Sequence, residues 1–349
     1  MLADILLSEK IIPGVGEMKA SKHTNKVQRW KSVILRLLFP LPSLVISLFL
    51  LSCSQNEPTL RIASNVWPGY EFVYMARDKG YFDEETVRLV EVPSATAALQ
   101  SLSAGSIEGA MLTLDEILTA RAEGLNLVVV AVLDSSVGAD VVMAHPSITR
   151  LEELKGKRIG VEQSAVGAVM LDALLHKAKL TTTDVELVYM TVNKHKSAYM
   201  NNEVDALVTF EPIKTQVKKT GAIQLFDSSQ IPGRIIDVLA VVPEAVQRNA
   251  NGIKQIIRGH FRARQEFIDN PTEASHILFK RLQIEPDEVP ASYEGIDLTG
   301  VAENKTMLSG TNPTLIKSAE VLISVMQRAN LLKGEVDMNR LVDGSLLPN

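Results

Sequence analysis

Between residues 60 and 242, short apolar runs alternate with amphipathic stretches, and this alternation restricts the fold more than any other feature. Residues 60–63, 87–92, 109–112 and 127–133 have strand lengths and branched apolar content. A run without a polar side, such as 127–133, suits a parallel strand covered on both faces. Helical stretches separate the strands. The first, 72–79, closes at Gly80; the second follows Ser94 as N-cap; the third follows the capping box Thr113-Leu114-Asp115-Glu116. The pattern resumes with strands at 157–161, 185–192, 206–209, 223–226 and 238–242, and helices at 169–178, 194–200 and 213–219. It predicts an α/β fold with mostly parallel sheets. From Pro243 onward the pattern is helical, over 246–268, 273–282, 288–294 and 313–329, with no strand expected.

The first unit, residues 60–82, reads as strand, turn and helix, with the turn at Trp67-Pro68-Gly69. Ligands of open α/β sheets sit beyond the carboxyl ends of strands, which is where Trp67 and Tyr70 fall. The chain also echoes itself. Residues 104–110 lead into Thr113-Leu114-Asp115-Glu116, and residues 201–206 lead into Thr209-Phe210-Glu211-Pro212. Each is turn, strand, then threonine, an apolar residue and a carboxylate. The echo predicts two lobes of like design, each with a carboxylate, Asp115 or Glu211, at a strand end.

The first fifty residues differ from the rest. Lys19, Lys22, Lys26, Arg29, Lys31 and Arg36 precede a run, 37–51, that is apolar apart from serines and two prolines. It is too short and too proline-broken for a spanning helix and fits a signal peptide. Leu50-Leu51-Ser52-Cys53 resembles the bacterial lipobox. Cys53 is the only cysteine in the chain, and a lone thiol in an exported protein is explained by lipidation. The expectation is a signal peptide over 1–53, with Met1 and Met18 both open as starts, and a polar tether over 54–59. The product would be lipid-anchored to a bacterial membrane in the periplasm or at the cell surface. A length of 349 residues suits about two domains, and a net charge of −5 argues against nucleic acid as a partner.

These residues together carry a family likeness: Trp67-x-Gly69-Tyr70, Ala76-x-x-x-Gly80-Tyr81-Phe82, Ala98-Leu99 with Gly105 and Glu108, Ser135 with Gly138-Ala139-Asp140, and Leu154-Lys155-Gly156-Lys157-Arg158-Ile159-Gly160-Val161. The chain resembles the substrate-binding proteins of nitrate/sulfonate/taurine-type ABC importers, and the related pyrimidine-binding proteins of thiamine-precursor uptake. The resemblance implies a type II periplasmic-binding-protein fold: two α/β lobes joined by a two-strand hinge, closing on one ligand and docking on an ABC permease. It places lobe 1 at 60–142 plus 243–349, lobe 2 at 143–242, and the hinge at 134–142 and 232–239. It implies a transport role without cofactor or catalysis. Two other readings remain open: a ligand-sensing module for a membrane signalling protein, and an enzyme like the pyrimidine synthases of the same fold. The Cys-rich iron motif of those synthases has no counterpart, since Cys53 stands alone. The five histidines between His145 and His276 are scattered and show no metal-ligand spacing.

An interlobe cleft draws on aromatics, helix N-termini and a few polar groups. The candidates are Trp67 and Tyr70 as stacking walls, Ser94 and Thr96 at one helix N-terminus, and Gln163 and Ser164 at another. Ser135 and Gly138 stand at the crossover, and Asp115 and Glu211 at the matching strand ends. The loops also carry Glu116, Asp134, Asp140 and Asp237, and no arginine except Arg234. Arginine is the preferred fork for sulfonate, nitrate or carboxylate. A cleft rich in carboxylates with aromatic walls suits a nitrogen heterocycle or amine.

Overall fold

A computed structural model describes residues 57–349. The expected signal peptide, Cys53 and the start of the tether lie outside the described residues. Two sheets organise the rest. The first half of the chain gives β1 (Leu60–Ser64), α1 (Glu71–Asp78), β2 (Val87–Glu91), α2 (Ala95–Ser103), β3 (Gly109–Thr113), α3 (Leu114–Ala122) and β4 (Val128–Ser136). The second lobe follows with β5 (Val141–Ala144), β6 (Arg158–Val161), α4 (Ala165–Ala178), β7 (Glu186–Tyr189), α5 (Val192–Met200), β8 (Ala206–Thr209), α6 (Ile213–Lys218) and β9 (Ile223–Asp227). Strand β10 (Ile236–Val241) returns the chain to the first lobe. The tail then adds α7 (Ala245–Arg248), α8 (Ala250–Asp269), α9 (Pro271–Leu282), α10 (Val289–Ser292), β11 (Ile296–Leu298), α11 (Val301–Leu308) and α12 (Thr314–Arg328).

The first sheet has the order β11-β4-β10-β3-β1-β2, and the second β7-β6-β8-β5-β9. In each, three parallel strands meet an antiparallel strand that has just crossed from the other lobe: β10 beside β3, and β5 beside β8. The internal echo therefore extends to topology, and one contact repeats in atomic detail. Glu108, before β3, accepts from the backbone N–H of Arg61 (2.8 Å) and from its Nε (3.0 Å). Asp205, before β8, accepts from the N–H of Arg158 (2.9 Å) and from its Nε (3.2 Å). The partners are 47 residues apart in both lobes.

Sheet membership moves the expected lobe boundary. Residues 236–241, assigned from sequence to lobe 2, pair on both sides within the first sheet. Strand β5 begins lobe 2 at Val141. The tail, expected to hold no strand, contributes β11 at the edge beside β4, and Val342 bridges Val129. Three residues are too few to show a two-residue period, so β11 left no pattern to read. The strand expected to run to residue 192 stops at Tyr189, and Val192 opens α5.

The crossings lie at 137–140 and 228–235. Two buried serines tie them: Ser136 Oγ and Ser228 Oγ are 2.7 Å apart, and the Gly138 N–H donates to Ser228 Oγ at 2.7 Å. Gly138 (φ +135°) and Gly295 (φ +82°) pass backbone to backbone; a Cβ on Gly295 would sit 2.7 Å from the Gly138 carbonyl carbon. One apolar cluster runs through both lobes, from Leu112 and Val132 of the first to Ile159 and Val208 of the second, with α3 against α4. The lobes are closed on each other.

Candidate functional site

Strand ends and helix starts of both lobes converge on one small cavity. From lobe 1 come Asn65, Trp67 and Tyr70 after β1, Ala95 at the start of α2, and Thr113 and Glu116 at the start of α3. Asp140 comes from the first crossing and Asp237 from the start of β10. Glu162 and Ser164 after β6, and Phe210 after β8, come from lobe 2. The cavity is about 30 Å³, room for little more than a water molecule, so the lobes must part to admit a solute.

The turn Pro68–Tyr70 follows β1 because Pro68 presets φ at the first helical position. It aims both aromatics at carboxyls. Trp67 Nε1 donates to Asp134 Oδ1 and Oδ2 at 3.2 and 3.3 Å, and Tyr70 Oη donates to Asp237 Oδ1 at 2.5 Å. Trp67 also meets Phe210 of lobe 2 edge to face, with ring centroids 5.6 Å apart. Both aromatics are buried, so the expectation of stacking walls is corrected: in the closed form they are hydrogen-bond donors, and Trp67 is an interlobe contact. Thr96 bridges the lobes as well, donating from Oγ1 (2.9 Å) and N–H (3.3 Å) to Glu162 Oε1.

The electrostatics are one-sided. Asp115, Glu116, Asp134, Asp140, Glu162 and Asp237 are all buried, and no lysine or arginine lines the cavity. Register sets Asp237 of β10 directly opposite Asp134 of β4. Burial pushes Asp134 up to about 7, against the donated bonds from Trp67 and Asp237. Burial also pushes Asp237 well above the carboxylate range, with the charge of Asp134 adding to it. Glu116 is pushed up to about 8 by burial and by neighbouring Asp115, and Asp115 to about 7 by burial. Asp140 rises to about 6 from burial, opposed by a Ser136 hydrogen bond and the charge of Lys214. Glu116 Oε2 accepts from the Thr113 N–H at 3.1 Å, half of the expected capping box. Its Oε1, the Thr113 hydroxyl and both oxygens of Asp115 find no partner of ordinary geometry.

Of the residues expected at the site, Trp67, Tyr70 and Ser164 line the cavity, and Thr96 reaches its lobe 2 wall. Asp115 lies behind Glu116, fully buried. Ser94 and Ser164 cap their helices through the N–H groups of Ala97 (3.2 Å) and Gly167 (3.3 Å). Four expectations are corrected. Glu211 is turned to its own helix, accepting from Thr215 N–H (3.1 Å) and Oγ1 (3.0 Å). Gln163 is exposed on an outer groove beside α4. Ser135 lies on the opposite side of β4 from Ser136, and Gly138 belongs to the hinge staple. Glu162, Phe210 and Asn65 also line the cavity, beyond the residues expected from sequence. Phe210 stood in plain view beside Glu211; the echo supplied the strand end but not which side chain turned inward. Of the histidines, His195 bonds Thr209 (3.1 Å) and His260 sits among Phe72 and Phe261, both buried away from the cavity.

The family described as NMT1/THI5 like matches residues 67–274. A Haemophilus influenzae relative bearing a thiamine-biosynthesis name is 26% identical over 219 residues. That alignment covers 62% of this chain and 63% of the relative, so the chain spans less than two thirds of that protein's length. An Escherichia coli K12 relative named for binding aliphatic sulfonates is 24% identical over 251 residues, 71% of this chain and 73% of its own. Among solved structures, the alkanesulfonate-binding protein SsuA of Xanthomonas axonopodis pv. citri, bound to MOPS, superposes with a TM-score of 0.68. The match has 17% identity and covers 80% of this chain and 96% of that one. It establishes the periplasmic-binding-protein fold.

Proposed function

The chain belongs to the NMT1/THI5-like family, and from that premise we propose that it is an extracytoplasmic solute-binding protein. It captures a small polar molecule between its lobes and presents the closed form to an ABC permease. The supporting observation is the closed cleft itself: two sheets of one topology, tied by a serine-stapled hinge, with aromatic and ionisable side chains of both lobes converging at their strand ends. No group of three metal-ligating side chains occurs among the described residues, and the buried histidines stand apart from the cleft.

The solute we infer is a nitrogen heterocycle or amine that offers N–H donors or positive charge. Sulfonate, named for two of the relatives, would enter among Glu116, Asp140, Glu162 and Asp237 with no lining cation to receive it. The site residues we propose are Trp67, Tyr70, Thr96, Ser164, Glu116, Asp140 and Asp237. Lipidation at Cys53 and retention on the membrane complete the reading. Among the described residues no helix is long and apolar enough to cross a membrane.

Native mass spectrometry of protein purified without denaturant, followed by calorimetry, tests the proposal. Release of a nitrogenous solute that rebinds supports it. Tight binding of taurine or nitrate, with no response to amines or heterocycles, overturns the solute class. A metabolically labelled lipid on the wild type that is lost in Cys53→Ala supports the anchor, and its absence from the wild type overturns it.

A further inference from the structure

Closure of this cleft gathers like charges. Glu116 and Asp115 belong to lobe 1, Glu162 to lobe 2, and Asp140 to the crossing between them. Parting the lobes would return Glu116, Asp140 and Glu162, which line the cleft, to water, where each ionises freely. In the closed form they are 7% exposed or less, with Glu116 Oε1 and both oxygens of Asp115 unpartnered. The Thr113 N–H at 3.1 Å is the one donor of ordinary geometry for Glu116 and Asp115 together, so ionising both in the closed form is costly. Asp134 and Asp237, opposed across β4 and β10, add a second pair of which one member must be protonated to donate to the other.

The remaining groups facing the cluster do not neutralise it. Tyr70 and Trp67 donate from the turn after β1, but both are neutral. Asp297 of β11, exposed and paired with Ser135, adds negative charge near Asp134. Lys214 of α6 is the one cation whose charge reaches Asp140, and it is shared with Glu211 at 3.7 Å. Closed and without solute, the cleft needs positive charge from elsewhere.

Resting on the solute-binding reading, we propose that protons and a cationic solute compete for this cluster: the closed, solute-free cleft holds protons, and capture of an organic cation expels one. In the balance, the cation and the protonated cluster give a cation–carboxylate complex and a free proton. Opening alone ionises the same groups, so closure is itself linked to pH. Apparent affinity then rises up to about tenfold per pH unit while a single proton is exchanged.

X-ray solution scattering of the full chain, freed of solute by unfolding and refolding, reads the closure. It should be compact near about pH 5 and expanded near about pH 9, where the cluster ionises. Glu116→Gln with Asp115→Asn keeps the shape and removes the charge, and should stay compact throughout. If that variant fails to fold, Asp237→Asn should show the same flattened response. At the higher pH, about 20 mM benzylammonium chloride should restore the compact form without proton release; near about pH 6, where the closed cluster still holds its protons, calorimetry in two buffers of different ionisation heat should count about one proton released. Dimensions of the wild type that ignore pH, or a benzylammonium response absent or, near about pH 6, without proton release, overturn the exchange. Failure to retain any solute overturns the solute-binding reading instead, and the pH response of the empty chain still decides whether closure takes up protons.

Discussion

Trp67 and Tyr70 each hold a buried carboxyl through one donated hydrogen bond, and this defines what their removal does. Trp67→Ala removes the donor to Asp134 and the edge contact with Phe210. It should weaken solute binding by about 1 kcal/mol or more, roughly fivefold, in calorimetry with the solute released from native protein. Unchanged affinity would remove Trp67 from the site. Tyr70→Phe keeps the ring and leaves Asp237 without its phenol. Unfolding in urea at neutral pH should show a loss of about 1–2 kcal/mol, the cost of a buried group deprived of its partner.

At the scale of elements, the turn after β1 tolerates nothing larger than glycine at position 69. A Cβ on Gly69 would collide with Asp134 Oδ2 and stand 2.9 Å from Trp67 Nε1. Gly69→Ala should therefore displace the turn from β4 and weaken solute binding more than Trp67→Ala, while the second lobe keeps its proteolytic resistance. The repeated arginine–carboxylate contact makes a different prediction. Arg61 and Arg158 are about one-third to two-fifths exposed, so solvent screens both pairs. Glu108→Ala and Asp205→Ala should each cost about 0.5–1 kcal/mol in urea unfolding. Because they lie in separate lobes, the double variant should show the sum.

At the scale of the whole molecule, the buried carboxyls tie stability to pH. Asp115, Glu116 and Asp134 have folded-state values near 7 to 8, far above those of an unfolded chain. A raised value means the folded protein holds protons that the unfolded chain has released. The stabilisation is therefore complete below about pH 4 and is lost as pH rises through about 8. Other carboxyls oppose this at the acid end: Asp205 and Glu266 are held below their usual range by Arg158 and Lys79. Denaturant midpoints should fall between about pH 5 and about pH 8.5, by an amount on the order of a few kcal/mol. A midpoint that climbs over this interval would contradict the assignment of protonated carboxyls. The hinge belongs to this scale too. Gly295→Ala would force the backbone of Gly138 and Ala139 away, and should shift the open–closed balance seen by scattering without altering either sheet.

Period, turn chemistry and composition are local properties, and the residues carried them. The α/β alternation, the strand ends at Thr113 and Thr209, the caps at Ser94 and Ser164 and the likeness between the two halves were legible for that reason. So was the acidic character of the loops, because it needs only a count of residues in them. What the tertiary structure decided is how separated segments pair. That β10 belongs to the first sheet depends on hydrogen bonds to β3 and β4, more than a hundred residues earlier in the chain. That Ser136 rather than Ser135 staples the hinge follows from a one-residue difference in strand facing, which no local pattern there specified. Asp134 opposite Asp237, and Glu162 rather than Glu211 at the cleft wall, are consequences of register and of lobe closure. Charge could be read along the chain; its concentration into one buried cluster exists only when the two lobes meet.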